Sequence, residues 1–277
     1  MSDLASSSRL SGCSVCLGVS GSVAAVKAPD LADALLQRGV SVDLVVTAAA
    51  FSLLQATYRD TVPWARLTAL AAAHPPHVAS AVEPGATDPA ATDTAATDTA
   101  TGAAPPPSLR IWRDADEWAN YTSVGGDPVL HVDLAKRNSL LLIAPLCANS
   151  LAGAALGLCG NLLGSVLRAW YYDLDPEFAD PLAARYGEQA VCRPVLVAPA
   201  MNTFMWHQRI TSTHLASLRE RGVHVVPPIS KKLACGDEGV GAMAEVSDVI
   251  EVAVRLLQGH VDAEAAARAA GKPSFTP

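Results

Sequence analysis

Short apolar runs alternate along the chain with longer segments of helical periodicity. The apolar runs lie at Cys13–Val19, Ser41–Thr47, Ser139–Pro145, Pro194–Pro199 and Val223–Val226, and order is expected to resume at Leu109–Trp112 after an interruption. Helical periods lie at Val23–Arg38, Thr211–Arg221 and Ser247–Leu257. Short apolar runs that do not alternate with polar residues are typical of parallel strands buried on both faces. The pattern therefore predicts a doubly wound α/β fold, a Rossmann-like (flavodoxin-like) parallel sheet with helices on both faces.

Two segments interrupt this alternation. Between about 69 and 107 the chain repeats Ala-Thr-Asp three times among Pro, Gly and Ala, a composition that buries too little apolar surface to offset chain entropy. We therefore predict a disordered insertion there, and a shorter acidic insertion at about 171–193. The remainder reads as one domain over 13–257, with a flexible N-terminus at 1–12 and a flexible tail at 258–277.

Composition and charge narrow the class of protein. The chain has 277 residues and a formal net charge of −7, which argues against nucleic acid or an anionic membrane as partner. No apolar run reaches the ~18 residues of a membrane-spanning helix, and the Ser-rich N-terminus has no apolar signal-peptide core. The six cysteines show no disulfide framework and suit a reducing compartment. We expect a cytoplasmic protein.

Polar loops follow several of the predicted strands. Gly21 and Ser22 follow the first, Thr47 ends the second, and Asn202 lies just beyond the run that ends at Pro199. Because carboxyl ends of parallel strands share one edge of the sheet, these loops are candidate ligand contacts. A strand, a small-residue turn and a helix also direct backbone N–H groups at a phosphate, although the G-x-G-x-x-G spacing is absent.

A glycine-rich segment at 231–245 carries a single thiol, Cys235. Glycine at 236, 239 and 241 supplies conformational freedom, so the segment is a candidate mobile flap that delivers Cys235 to a ligand. The alternatives are an ordinary turn and a small buried cysteine. His131, at or near a predicted helix start, would by itself more often be structural. The Cys13-x-x-Cys16 pair lies in a predicted strand, where core packing is favoured over metal or redox chemistry.

Taken together, two runs resemble the homo-oligomeric flavin-containing cysteine decarboxylases. They are Pro-Ala-Met-Asn-x-x-Met-Trp at 199–206 and Lys-Lys-Leu-Ala-Cys-Gly-Asp-x-Gly-x-Gly-Ala-Met-Ala-Glu at 231–245. The sequence around His131, Asp-Pro-x-Leu-His at 127–131, is similar to the sequence around the family's essential histidine. The resemblance covers about 13–60 and 109–257.

This resemblance implies the cofactor and the residues that bind it. Family members bind flavin mononucleotide (FMN), here through Gly21 and Ser22 at the phosphate, through the Thr47 hydroxyl, and through the loop after the 139–145 run. That loop contributes Ala148, Asn149 and Ser150. Family members form trimers in which neighbouring subunits share active sites, so a homotrimer is expected.

The resemblance also implies the reaction, the FMN-dependent decarboxylation of 4′-phospho-N-pantothenoylcysteine to 4′-phosphopantetheine in coenzyme A biosynthesis. His131 would serve oxidation and decarboxylation, and Cys235 would donate the proton of the final reduction. Four residues would contact the substrate: Ala200, Asn202 and Met205 around its carboxylate-bearing end, and Lys136 as a positive charge.

Several positions depart from the family pattern. Cys147, Gly153 and Gly160 replace a Ser or Asp, a Lys and an Asp, which bears on substrate affinity and subunit packing. Two alternatives stay open: a phosphatase-regulatory or mixed-trimer subunit of the same fold, and a sister flavoenzyme. The regulatory alternative predicts loss of His131, Asn202 or Cys235, and all three are present. A sister enzyme should lack the Ala-Cys-Gly flap at 234–236.

Overall fold

The computed structural model describes residues 10–76, 105–187, 191–232 and 238–273. A parallel sheet forms its centre, with strand order β3-β2-β1-β4-β5-β6. Its strands are β1 (Ser14–Val19), β2 (Ser41–Val46), β3 (Leu109–Arg113), β4 (Leu140–Leu146), β5 (Val195–Pro199) and β6 (His224–Val225). Every residue of β4 and β5 is buried, which explains why these strands read as continuous apolar runs.

Helices connect the strands and cover the sheet. They are α1 (Ala28–Leu36), α2 (Ala48–Leu54), α3 (Pro63–Ala73), α4 (Leu130–Arg137), α5 (Ala148–Leu156), α6 (Leu162–Ala169), α7 (Pro176–Tyr186), α8 (Thr203–His207), α9 (Arg209–Glu220) and α10 (Val246–Ala269). Short 3-10 turns lie at Val23–Lys27 and Asp114–Asp116. An antiparallel hairpin of β7 (Ile229–Lys232) and β8 (Glu238–Ala242) precedes α10. Within the described ranges, no helix is long and apolar enough to cross a membrane.

The two faces of the sheet bury separate apolar clusters. Leu17 of β1 belongs to the cluster that includes Leu31 of α1 and Leu257 of α10. Its neighbour Cys16 belongs to the opposite cluster, with Leu163 of α6. Successive side chains of a strand point to opposite faces, so helices pack on both sides. The predicted doubly wound α/β fold is therefore confirmed, with Cys16 in core packing, where burial raises its pKa well above the usual value.

The C-terminal boundary differs from the prediction. α10 continues to Ala269, well beyond the expected end of the domain at 257, and His260 in this extension is 3% exposed. The segment after 260 is rich in Ala, which has the highest helix propensity. Its lack of apolar periodicity hid the helix, and the tail predicted from 258 is wrong up to Ala269.

Two further boundaries differ from the prediction. α3 runs to Ala73, so the start of the insertion expected from 69 is helical, while 77–104 lies outside the described residues. The shorter insertion contains α7, which begins after Asp175; the Asp175 side chain accepts a hydrogen bond from the Glu177 amide. At the N-terminus, Leu10 is only 1% exposed and belongs to the core, whereas 1–9 lies outside the described residues.

Candidate active site

The strand order reverses between β1 and β4, and this switch point opens a crevice at their carboxyl ends. Ser20, the first residue after β1, joins the two strand ends. Its buried hydroxyl donates to the Pro145 carbonyl at 2.8 Å and accepts from the Cys147 amide at 2.7 Å. Nothing in the sequence distinguished Ser20 from other serines, because both of its partners are more than 120 residues away.

The turn after Ser20 lies close to the start of α2. A Cβ atom at Gly21 would lie 2.6 Å from the Cβ of Ala49, a separation that side chains do not tolerate. Ser22 caps the 3-10 turn that follows, accepting from the Ala24 amide at 3.4 Å. Only glycine permits this close approach.

Thr47, the predicted phosphate contact after β2, has a structural role here. Its hydroxyl accepts from the Ala50 amide and donates to the Val19 carbonyl, each at 3.3 Å, so it caps α2. The residue is 5% exposed. Contact with a ligand would require the hydroxyl hydrogen to turn away from Val19.

The loop after β4 opens onto a cavity of about 320 Å³. Asn149, Ser150 and Asn161 supply its polar groups, and Ile143 and Leu163 are among its apolar ones. A mainly apolar cavity with a few polar groups suits a flat ring that carries hydrogen-bonding edges.

Gly153 and Gly160, two residues that depart from the family pattern, also line this cavity. A Cβ atom at Gly160 would meet nothing within 4 Å, and one at Gly153 would meet only Leu158, at 3.9 Å. Neither glycine is required by packing against the described residues. The effect of both is to widen the cavity.

The third departure, Cys147, caps α5. Its sulfur accepts from the Ser150 amide at 3.5 Å and lies 3.4 Å from the Ser150 hydroxyl. Burial by itself would raise the pKa of this thiol. Hydrogen bonds from Ser150, Ser20 and nearby amides outweigh burial and lower the pKa below its usual value.

His131 lies in the first turn of α4, as predicted, and is bound to Glu117. Nδ1 of His131 is 2.6 Å from Oε1 of Glu117, whose side chain is 8% exposed. The other carboxylate oxygen, Oε2, is buried and has no hydrogen-bond partner within the described residues. The sequence analysis gave Glu117 no role. Its contact with His131 spans 14 residues through an irregular loop.

Asp114, three residues before Glu117, connects two helix starts. One carboxylate oxygen accepts from the Ala48 amide at 3.2 Å and the other from the Leu162 amide at 3.1 Å. A carboxylate is favourable at the positive end of a helix. These two hydrogen bonds hold the segment that carries Glu117 against the starts of α2 and α6.

The loop after β5 carries the predicted substrate contacts. Oδ1 of Asn202 accepts from the Phe204 amide at 2.8 Å and caps α8, so Nδ2 is the atom that carries donor hydrogens for a carboxylate. Met205 is 44% exposed. Ala200 is buried, and its amide donates to the Leu146 carbonyl at 3.0 Å, so it contributes main-chain position rather than an exposed side chain.

The β7–β8 hairpin packs directly on this loop. A Cβ atom at Gly239 would lie 2.8 Å from the Thr203 side chain, and one at Gly241 would collide with the Met201 carbonyl. Gly241 also has φ of +152° and accepts from the Met201 amide at 2.9 Å. These glycines therefore permit close approach of two segments. Cys235, between β7 and β8 in the sequence, lies outside the described residues.

Lys136 is the one predicted site residue placed away from the sheet's carboxyl edge. It is exposed in the last turn of α4, five residues after His131, and its carbonyl accepts from Arg193. Helices of this fold run back toward the amino edge, so Lys136 and His131 lie at opposite ends of α4. No group of three His, Cys, Asp or Glu residues that could hold a metal is found in the part of the chain that the structure describes.

Comparisons with known proteins agree with this arrangement. A family model described as Flavoprotein matches residues 3–258. The phosphopantothenoylcysteine decarboxylase of Oryza sativa subsp. japonica is 46% identical over 151 residues, 54% of this chain and 59% of the relative. The Mus musculus enzyme is 41% identical over 152 residues, 55% of this chain and 65% of the relative. The chain thus spans about three fifths of the curated relatives it matches.

Solved structures match over nearly their whole length. A cysteine-to-serine variant of PPC decarboxylase, complexed with pantothenoylaminoethenethiol, is 32% identical, with 89% of this chain and 98% of that chain covered and a TM-score of 0.59. The FMN-binding protein AtHal3 is 33% identical, with 88% and 96% covered and a TM-score of 0.58. The resemblance seen in the sequence is confirmed.

Proposed function

The chain belongs to the flavoprotein family, and on that premise we propose that it binds FMN and decarboxylates 4′-phospho-N-pantothenoylcysteine to 4′-phosphopantetheine, a step of coenzyme A biosynthesis. The observation that carries this proposal is the packing of the β7–β8 hairpin on the Met201–Thr203 loop. Gly239 and Gly241 of β8 lie against Thr203 and Met201, the residues on either side of Asn202 in the sequence. We infer that Cys235, which follows β7 in the sequence, and Asn202 serve one substrate, Cys235 as proton donor and Asn202 as carboxylate-binding amide. A cytoplasmic location belongs to the same proposal.

The described residues fit a flavin nucleotide. The turn at Gly21 and Ser22 is compact enough for a phosphate to approach main-chain N–H groups, and the 320 Å³ cavity beside Asn149 and Ser150 offers apolar walls with polar edges. Bound flavin supplies the two-electron acceptor for the cysteine end of the substrate and later returns a hydride.

His131 handles the proton of the substrate thiol. With an ionised Glu117 accepting from Nδ1–H, Nε2 is the nitrogen that takes the thiol proton as the C–S bond is oxidised to a thioaldehyde. The Glu117 carboxylate then stabilises the imidazolium. Glu117 is in this account a positioning residue, since it acts through His131.

Asn202 orients the carboxylate of the substrate through Nδ2. Once the adjacent carbon is a thiocarbonyl, the electron pair of the breaking C–C bond moves onto sulfur, CO₂ leaves and an enethiolate remains. Met205, which is partly exposed beside this loop, contributes apolar contact that excludes water. Ala200 fixes the loop to β4 through its main chain.

Cys235 donates a proton to the enethiolate carbon, which gives a thioaldehyde; hydride from a bound, reduced flavin would convert this to the thiolate, which takes a proton from solvent. A thiol with an ordinary pKa of about 8.5 is protonated at neutral pH. The ligand in the solved PPC decarboxylase complex is pantothenoylaminoethenethiol, and an aminoethenethiol is the oxidised, decarboxylated form that such a proton would consume.

The proposed assembly is a homotrimer with shared active sites. Large apolar side chains are exposed at the end of α5, just after it and on α8: Leu156 at 68%, Leu158 at 59% and Phe204 at 76%. Large exposed apolar side chains are typical of a surface that a second subunit covers. A shared site also accounts for Lys136, which could serve a neighbour's substrate although it lies away from its own chain's loops.

Activity of the purified chain tests this function and separates it from the regulatory-subunit alternative. The protein should be yellow, release FMN on denaturation, and form CO₂ and 4′-phosphopantetheine in equal amounts without a second protein. A flavin-loaded chain that is inactive alone but active after mixing with another subunit would establish the mixed-trimer reading. A chain that takes up no flavin would overturn the proposal.

A further inference from the structure

A second cavity, of about 450 Å³, lies at the opposite edge of the sheet, beside the amino-terminal ends of β5 and β6. Its lining concentrates basic side chains: Arg193, Arg221, Arg255, His224 and His260. No Asp or Glu belongs to the lining within the described residues. Such a concentration of positive charge stands out in a chain whose net charge is −7.

Two of these side chains bury polar atoms that lack partners. Arg193 is 8% exposed and His260 is 3% exposed. Arg193 Nε and His260 Nδ1 have no hydrogen-bond partner in the described ranges. His260 Nε2 lies 3.4 Å from the Glu264 carboxylate, so Nδ1 is the nitrogen that a protonated ring would offer to an acceptor. Buried donors are normally satisfied, which makes this pair of atoms unusual.

The other three groups differ in how far they are already engaged. Arg221 is held by the Asp173 carboxylate at 2.5 Å and by the Tyr172 hydroxyl at 2.8 Å. Arg255 and His224 are exposed and form no ion pair with the described residues. The cavity therefore combines fixed positive charge in its wall with two exposed groups at its surface.

We propose that this basic cavity is a binding site for a small phosphorylated molecule, separate from the flavin and substrate site. Guanidinium groups match the geometry and charge of a phosphate, and imidazolium adds a further donor. The volume exceeds that of a phosphate group alone, so the occupant carries its phosphate on a larger body.

The same arginines hold the far ends of the two helices that carry candidate site residues. Arg193 Nη1 donates to the carbonyls of Ala135, Lys136 and Asn138 at the end of α4. Arg221 Nη1 donates to the Ala154 carbonyl in the last turns of α5. Replacing either arginine would disturb these helices, so Arg255, which makes no such bond among the described residues, is the residue to test.

Thiol protection in the flavin-loaded protein tests the site, with inorganic pyrophosphate as probe at constant ionic strength. The exposed thiol of Cys192 lines the basic cavity, while the exposed thiol of Cys159 lies next to Gly160 at the flavin cavity. Pyrophosphate at ten times its dissociation constant should slow alkylation of Cys192 about tenfold, by simple mass action, and leave Cys159 unchanged. Peptide mass spectrometry measures both rates in one sample.

Matched charge variants decide whether the protection is specific. Arg255→Gln should raise the half-protecting concentration about tenfold, the loss expected from one charge-assisted hydrogen bond. Arg38→Gln removes an exposed arginine from the end of α1 and should leave that concentration unchanged. Equal effects of the two variants, protection of Cys159 instead of Cys192, or protection by chloride at the same ionic strength would each overturn the proposal.

Discussion

Nδ1 of His131 and Oε1 of Glu117 lie 2.6 Å apart, and the second oxygen of Glu117 is buried without a partner in the described structure. A buried carboxylate with one engaged oxygen is costly unless its charge has a function. Its function here is to orient the imidazole and to stabilise the ring once it has accepted a proton.

Glu117→Gln should lower kcat roughly 10- to 100-fold, part of what general acid–base catalysis contributes, while KM changes little. Steady-state rates near pH 7 measure kcat and KM. Glu177→Gln, an exposed change on α7, is the control. A kcat for Glu117→Gln equal to that of the control would contradict the positioning role.

Cys147 should be replaceable by Ser but not by Ala. Serine keeps an acceptor for the Ser150 amide at the start of α5, whereas alanine leaves that amide without its cap. Loss of an N-cap costs about 1 kcal/mol of unfolding free energy. Urea denaturation of the three proteins measures the difference. Wild-type stability in Cys147→Ala would show that the sulfur contributes no cap.

Alanine substitutions of two helical glycines, Gly153 and Gly164, provide a matched test of their effects on stability. Gly153→Ala should stabilise the protein by about 0.5–1 kcal/mol, because alanine is the better helix former and its Cβ meets only Leu158, at 3.9 Å. Gly164→Ala should destabilise it, because its Cβ would lie 2.9 Å from the Leu158 carbonyl. Melting temperatures of the flavin-free proteins should shift in opposite directions. Shifts of the same sign would contradict the description of the cavity wall.

The Asp43 carboxylate makes the free energy of unfolding depend on pH. Burial alone would raise the pKa of Asp43, but its bonds and charge interaction with Arg137, and bonds from Trp112 and Asn138, lower it. Because the folded-state pKa lies below the unfolded value of about 3.9, this stabilisation is complete above that value and is lost as pH falls further.

Asp43→Asn should therefore lower the free energy of unfolding by about 2–3 kcal/mol near pH 7, because hydrogen bonds to a charged group contribute on that scale. The loss should become progressively smaller below pH 4. Asp30→Asn, which breaks an exposed pair with Arg66, should change the unfolding free energy by less than about 0.5 kcal/mol. Urea titrations at pH 3 and pH 7 compare the variants. A cost for Asp43→Asn that is independent of pH would be inconsistent with a lowered pKa.

The sequence was most informative about the buried strands and about the site segments that follow them. Apolar runs located β1, β2, β4, β5 and β6 to within one residue, since burial on both faces leaves no polar positions in β4 and β5. The segments that carry Gly21, Asn149 and Asn202 were found because parallel strands bring their carboxyl ends to one edge, although Asn149, expected on a loop, lies in the first turn of α5.

What the sequence missed depends on contacts between distant segments. Ser20 matters because it bridges β1 to β4, and Glu117 because it reaches His131, and neither has a local signature. The glycines at 239 and 241 were interpreted as hinges, whereas in the structure they allow the hairpin to approach Met201 and Thr203. Helix α7 and the end of α10 escaped prediction because they lack apolar periodicity.

Anaerobic single turnover of the flavin-loaded chain tests the central claim most directly, with absorbance of the flavin and mass detection of CO₂ and product. Substrate should reduce the flavin, release CO₂ and yield 4′-phosphopantetheine as the flavin reoxidises. His131→Asn should leave the flavin oxidised and release little CO₂. Cys235→Ser should reduce the flavin and release CO₂ but accumulate the enethiol, since a hydroxyl is a far weaker acid than a thiol. Wild-type product formation by Cys235→Ser, or no CO₂ from the wild-type chain, would contradict the account.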